Sequence, residues 1–482
     1  MNPDLISQYF NAQSAAALAP LVTLAAGLLL LILCECFESL RPARPFIFVG
    51  SILGAAWAEV ALMNGPVEAV LGGTYSADRA SALWGLVFLA STLIAWVHAR
   101  SYYHRSRPFL GEHDMLLLAA PLGMMMMAGA LDLTVFFVGL ELLSIPLYCL
   151  ASFRRQRSES VEAGLKYFLL GAFSVGLFLY GAALLYTATG TLSLPALAEA
   201  AASAQGFSPM AQVGVAFLLG SLLFKLSVWP FHMWVPDVYQ GAPTPVTILM
   251  ATGTKAAALA VTLRITGLLP DTSAGLIALL AVLTMAAGNL GALVQSNLKR
   301  LLAYSGVAHA GTLMLLVAAL RANGALGPET TSAALFYMAA YVATAGGAFG
   351  LLAWLEADGD HFTEIESLKG LGRRRPALAA AMTLFLLSLG GIPATGGFLA
   401  KYLVFSVALD AQLTGYAIAG VLMSVIALGY YLRVIVAMYM EPASDQVAPP
   451  MAKRTDAMIA TAVCAGLVLV MGVLPALFLN LV

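Results

Sequence analysis

Apolar stretches long enough to cross a bilayer as helices, about 20 residues each, recur along the whole chain between short polar or basic connections. They run near 16–37, 45–64, 80–99, 114–131, 133–151, 162–188, 209–240, 244–268, 274–294, 300–320, 331–354, 376–411, 413–439 and 456–480. The pattern predicts an all-α integral membrane protein with 14 transmembrane helices. Two stretches, 209–240 and 376–411, are 32 and 36 residues long. As single helices they would run roughly 48–54 Å against a hydrocarbon core of about 30 Å. Both carry helix breakers: Pro230 and Pro236 in the first, Gly391, Pro393 and Gly396 in the second. Proline removes a helix hydrogen bond and glycine loosens the backbone, and irregular backbone at membrane depth needs cover from protein or water. The interrupted spans are the seventh and the twelfth. That spacing is the expected trace of two inverted five-helix repeats, spans 4–8 and 9–13. The chain then divides into an N-terminal three-helix segment (1–111), a first repeat (112–270), a second repeat (271–440) and a C-terminal helix (441–482).

Composition agrees. Of 482 residues, 61% are hydrophobic and 10% charged, where a soluble domain carries about 25% charged residues. A cytosolic enzyme is excluded, and so is a nucleic-acid binder, since a net charge of −1 leaves no basic face for phosphates. Cys34, Cys36, Cys149 and Cys464 all sit in apolar runs and are expected as small buried hydrophobes without a metal site. The first apolar run is long and lacks a basic leader, so no cleaved signal is expected. No residue set suggests haem, an iron–sulfur cluster or a phosphate-binding loop. Basic residues fall on alternate connections. One side holds 16, among them Arg41, Arg44, Arg105, Arg107, Arg154, Lys299, Arg373, Lys453 and Arg454; the other holds Arg79 and Arg321. The positive-inside rule makes the first side cytoplasmic and puts both termini on the outer side.

Six basic residues remain inside spans: Lys166, Lys225, Lys255, Arg264, Lys401 and Arg433. Charges in hydrocarbon are costly and are functional candidates by default. Glu141 lies about nine residues into span 5, or roughly 14 Å deep, and Lys255 lies at similar depth in span 8. Lys225 stands at the break of span 7 and Lys401 just after the break of span 12. A glutamate facing lysines at that depth makes groups whose protonation can be toggled; the alternative is a static ion pair that fixes helix register. Lys166, near the basic end of span 6, is a candidate relay or a snorkelling side chain. His309 in span 10 is a candidate relay or a packing residue. Glu59 has no evident partner, Arg264 and Arg433 are near enough to span ends to cap carbonyls, and Met124–Met127 read as packing. His98, His104, His113 and His361 lie in or beside loops and carry little weight.

Several motifs match one family. Phe224-Lys225-Leu-Ser-Val-Trp-Pro230-Phe-His232-Met-Trp-Val-Pro236-Asp237-Val-Tyr239-Gln-Gly241-Ala-Pro243 closely resembles the span-7 signature of the antiporter-like membrane subunits of respiratory complex I. Gly139-Leu-Glu141-Leu-Leu-Ser, Ser296-Asn-Leu-Lys299-Arg300-Leu-Leu-Ala-Tyr304-Ser and Gly391-Ile-Pro393-Ala-Thr-Gly-Gly-Phe-Leu-Ala-Lys401 are similar to the same family. The Asp237–Pro243 ending looks more like its N type than its M or L types. So does the lysine at 401, where the M type has a glutamate, and the chain stops at Val482 without the long lateral helix of the L type. The resemblance implies a proton-translocating subunit of NADH:quinone oxidoreductase in a bacterial plasma (inner) membrane. Glu141 and Lys225 would be an ion pair, Lys255 a central lysine and Lys401 the exit-side lysine. NADH, flavin, iron–sulfur clusters and quinone are then expected elsewhere in the complex. The expected partners are other membrane-arm subunits, further antiporter-like subunits among them, and lipid. Subunits of multisubunit sodium/proton antiporters share much of the pattern and are the rival reading. A purely structural scaffold would leave the intramembrane charges unexplained.

Overall fold

A computed structural model of the chain describes residues 12–63, 68–103, 110–203, 206–323, 328–356, 363–442 and 455–481. Arg105, Arg107, Lys453 and Arg454, counted above on the basic side, lie outside the described residues, as do His104 and His361. The described chain is nearly all helix. Helices α1 (Ala12–Cys36), α2 (Arg44–Leu62) and α3 (Arg79–Tyr102) precede α4 (Leu110–Gly129), α5 (Leu133–Ala151) and α6 (Ser158–Thr189). After the short α7 (Leu194–Ala202) come α8 (Pro209–Leu226), α9 (Trp234–Gly241), α10 (Thr244–Ala251) and α11 (Gly253–Ile265). Next are α12 (Ala274–Leu293), α13 (Leu298–Asn323) and α14 (Pro328–Glu356), then α15 (Pro376–Gly390), α16 (Gly396–Asp410), α17 (Thr414–Tyr439) and α18 (Thr455–Val473).

Among the described residues, 12 helices are long and apolar enough to cross a membrane. Two expected spans are not among them. The fourth falls on α4, whose first turns hold Glu112, His113 and Asp114 and dilute its apolar run. The twelfth falls on α15 and α16, each of 15 residues.

Three expectations need correction, and one small element comes in addition: in the otherwise helical chain Glu68–Val70 pairs antiparallel with Tyr75–Ala77 in the connection between α2 and α3. Strands of three residues are too short to show an alternating pattern. Span 8 crosses as one stretch, Thr244–Leu268, but it is not a regular helix throughout: α10 and α11 meet at Thr252. Pro236 does not break a helix; it sits in the first turn of α9, where its missing N–H would have had no partner anyway. Cys36 and Cys149 are exposed rather than buried, on an outer surface that also presents Phe46, Trp57 and Phe173 as a lipid-facing surface does.

The bundle is layered. The segment Thr244–Leu268 is wholly buried and α13 and α14 almost so, whereas α1, α2, α17 and α18 bury about a third or less of their length. Small residues let backbones close in on each other. A Cβ on Gly123 would lie 2.6 Å from the Gly139 carbonyl oxygen, and one on Gly288 would lie 2.4 Å from the Ala308 nitrogen. So α4 crosses α5, and α12 crosses α13, nearly backbone to backbone.

Candidate functional site

The two interrupted spans stop in the same way. α8 ends at Leu226, and Ser227 adopts the left-handed conformation with φ 67°. The Val228 N–H then donates to the Leu223 carbonyl at 2.9 Å and the Ser227 N–H to Phe224 at 3.1 Å. α15 ends at Gly390, with Gly391 at φ 85°. There Ile392 donates to Leu387 at 3.0 Å and Gly391 to Ser388 at 3.0 Å. Both are Schellman caps, which satisfy two of the carbonyls a helix end leaves unpaired. A side chain reaches back to each broken end. Trp234 Nε1 donates to the Phe224 carbonyl at 3.1 Å, and Lys401 Nζ to the Gly390 carbonyl at 3.1 Å.

Lys225, on the last turn of α8, is 2% exposed. Its Nζ donates to Ser144 Oγ on α5 at 2.7 Å. Ser144 in turn donates to the Leu140 carbonyl at 2.5 Å. Nζ also stands 5.5 Å from the ring centroids of Tyr148 and Tyr167. Glu141 is on the same α5, one turn before Ser144, but is only half-buried, between the exposed Val138 and Ile145. Lys225 therefore points toward the helix that carries Glu141 and rests on its serine. Among the described residues, no ion pair joins the two, so the pair the resemblance implies is open here.

Lys255 follows the Thr252 interruption by one turn and is 1% exposed. The interruption is held by hydroxyls: Thr252 Oγ1 donates to the Ile248 carbonyl at 2.6 Å and lies 2.6 Å from Ser91 Oγ of α3. Lys255 Nζ donates to the Gly306 carbonyl of α13 at 2.6 Å. His309 lies one turn further along α13. Its Nδ1 is 2.6 Å from the Tyr337 hydroxyl, and its ring packs on Tyr341 with centroids 4.9 Å apart. A cavity of about 10 Å³, lined by His309, Asn289, Tyr430, Tyr431 and Lys401, is the size of about one water. Lys225, Lys255, His309 and Lys401 thus come from four different spans into the buried middle of the bundle, while Glu141 stands at its edge.

Lys166 does not join this row. Its Nζ contacts Glu162 at 2.7 Å and Asp237 at 2.9 Å, in a polar cavity of about 360 Å³ at the basic end of the bundle. Asp237 also takes Arg300 at 2.5 Å. In the cavity wall, Lys299 lies 3.8 Å from Glu356 and donates to the Ala242 carbonyl at 2.8 Å, while Thr244 donates to Glu356. Glu59 is 4% exposed and packs against Gly85. Arg433 caps the Leu293 carbonyl at 2.8 Å, and Arg264 pairs with Asp78 at 2.6 Å. His98 and His113, expected in or beside loops, lie within α3 and α4 and are buried. Sequence reasoning missed Ser144 and Tyr148, although they share a helical face with Glu141 at i+3 and i+7. It also missed Gly306, Tyr167 and Glu356, which no local spacing marks.

The family described as NADH:quinone oxidoreductase/Mrp antiporter, transmembrane, matches residues 130–427. NADH-quinone oxidoreductase subunit N of Salinibacter ruber is 42% identical over 87% of this chain and 84% of its own length. A chain of respiratory complex I from Thermus thermophilus, solved with bound aureothin, superposes with a TM-score of 0.79 at 35% identity over 96% of this chain and 98% of its own. A chain of the Mrp complex from Dietzia sp. DQ12-45-1b superposes with a TM-score of 0.81 at 22% identity, covering 98% and 96%, a likeness of fold alone.

Proposed function

The chain belongs to the N-type subunits of NADH-quinone oxidoreductase, within the NADH:quinone oxidoreductase/Mrp antiporter transmembrane family, and on that premise we propose how it moves protons. It is a membrane-arm subunit of respiratory complex I, and its partners are the other membrane-arm subunits, antiporter-like ones included. The half-buried Glu141 on an apolar outer face supports a neighbour covering that face. Electrons pass through other subunits, which carry flavin, iron–sulfur clusters and quinone, and this chain does the translocation.

The observation that carries the reading is three buried lysines, Lys225, Lys255 and Lys401, each bonded to a neutral oxygen: a hydroxyl and two carbonyls. Among the described residues, none has a carboxylate within ion-pair distance. A fixed charge so placed would be strongly destabilising, whereas a group that gains and loses a proton each cycle needs neutral partners that suit an amine in either state. Glu141 would load Lys225, and charge would pass through Lys255 and His309 to Lys401. Lys166 would serve at the mouth of the basic-end cavity. Moving one charge against 100 mV costs about 2.3 kcal/mol, which quinone reduction elsewhere in the complex supplies.

The layout we propose has 14 crossings, with spans 4–8 and 9–13 as inverted repeats and the four parts bounded at 111, 270 and 440. The matching Schellman caps at Ser227 and Gly391, and the matching glycine crossings of α4 on α5 and α12 on α13, support the repeat. The basic end would face the cytoplasm and both termini the outer side; Arg79 donating to the Leu481 carbonyl at 3.1 Å supports a C-terminus on the same side as the start of α3. A sodium/proton antiporter subunit has no observation of its own in its favour. The test is Lys225→Ala in the assembled complex, with quinone-linked turnover and vesicle acidification measured. Both should fall several-fold; an assembled variant that pumps at the parental rate would refute the assignment.

A further inference from the structure

The surroundings of Lys225 hold more than the serine it touches. Tyr148 and Tyr167 meet edge to face with centroids 4.8 Å apart at 86°, and both rings stand 5.5 Å from the same Nζ. Tyr167 is wholly buried and stacks on Trp234 with centroids 4.7 Å apart and planes 10° apart. Trp234 is in turn pinned to the broken end of α8 through the Phe224 carbonyl. The cage is therefore fastened to the very turn that carries the lysine. A Cβ on Gly171 would lie 2.1 Å from the Tyr148 hydroxyl, so Gly171 makes the room in which that ring sits. Among the described residues, the buried Tyr167 hydroxyl has no hydrogen-bond partner. A buried hydroxyl left unpaired is unfavourable, so the ring face, not the hydroxyl, is what this position supplies.

We propose that Ser144, Tyr148 and Tyr167 form a parking site for the Lys225 ammonium, a second resting place that the side chain occupies when it has left Glu141. Glu141 and Ser144 are three residues apart on α5 and share a face, and a four-carbon stem reaches from one to the other. At Glu141 the charge is met by a carboxylate. At Ser144 it is met by one hydroxyl and by the negative faces of two rings, which attract a desolvated cation. The two places differ in how they hold the same charge, which is what a carrier that must let go of its first partner requires. The three are positioning residues, acting on the proton path through Lys225, and the inference rests on the assignment of Lys225 to that path.

The experiment uses the assembled complex in vesicles and reads coupled quinone-reductase turnover and protons moved per quinone. Tyr167→Phe and Tyr148→Phe keep the ring face and should stay close to the parent. Tyr167→Leu and Tyr148→Leu remove it and should lower coupled turnover by at least about threefold, the factor that an ordinary cation–π contact carries. Ser144→Ala should be impaired and Ser144→Thr should restore it. Where a leucine variant fails to assemble, phenylalanines with increasing ring fluorination at 167 test the same point. They keep the shape while draining charge from the face, and turnover should fall with each fluorine. Leucine variants with parental turnover would overturn the cage. So would phenylalanine variants as poor as leucine, or a flat fluorine series. Parental pumping by Lys225→Ala would instead overturn the assignment on which the cage rests, so the two failures are separable.

Discussion

At the scale of single residues, Gly306 gives the sharpest prediction. A Cβ there would lie 2.7 Å from Lys255 Nζ and 3.1 Å from the Tyr341 hydroxyl. Gly306→Ala therefore pushes the amine off the carbonyl it touches. Alanine is also the better helix former by about 0.8–1 kcal/mol. Stability and activity should move in opposite directions: α13 is unharmed or slightly firmer, while coupled turnover drops several-fold. Thermal unfolding and turnover measured on the same preparation check this, and parental turnover would show that the Lys255 contact is dispensable. The lysines were legible because a charge in an apolar run stands out. Their acceptors were not, because the Gly306 and Gly390 carbonyls are backbone, and the sequence marks backbone only through what a glycine permits. Ser144 and Tyr148 were within reach of helical spacing from Glu141. Tyr167 is on another helix and was not.

At the scale of elements, helix ends carry the argument. Asp78 caps α3 by accepting from the Ser81 N–H at 2.6 Å and pairs with Arg264 at the end of α11. Burial pushes this carboxyl up, but the Arg264 guanidinium and the hydrogen bonds from Ser81, Arg264 and Ser76 outweigh it and hold it below its ordinary value of 3.8. A carboxyl lowered by folding adds stability that is complete above its ordinary value and is lost as pH falls through the lowered one. Asparagine caps a helix as well as aspartate does, so Asp78→Asn isolates the charge. It should lower stability at neutral pH by about 1.5–3 kcal/mol, the worth of a hydrogen bond to a charged group. The gap between parent and variant should begin to narrow as pH falls below about 4 and should close only below the lowered folded value. Thermal unfolding in detergent at both pH values decides it; a gap that persists in acid means the charge is irrelevant. The interruptions at 227–233 and 391–395 were legible because Pro230 falls in the first and Gly391 and Pro393 in the second. The one at Thr252 was not, because the apolar residues around its Ala-Thr-Gly-Thr run make the whole stretch read as one crossing, and the serine that steadies it, Ser91, comes from α3.

At the scale of the whole molecule, the proposed layout sets the parity of crossings between any two positions. With cysteines removed elsewhere, Asn480→Cys should react with an impermeant thiol reagent in intact cells, and Arg373→Cys only after the membrane is opened. Labelling of both from one side would mean an odd error in the crossing count. Hydropathy gave the spans but not their places. Lipid and a helical neighbour are equally apolar, so hydropathy does not separate the buried Thr244–Leu268 from the exposed Thr455–Val473; only the intramembrane Lys255 marks the first as interior.

Asp237 is shared by Lys166 of α6 and Arg300 of α13, helices of different repeats in the layout proposed above. Either cation alone leaves the carboxylate paired. Replacing one of them therefore costs little, while replacing both leaves the carboxylate without a cation. On the repeat layout proposed above, the two halves are thereby coupled at one surface carboxylate: what can change at position 166 depends on what stands at position 300.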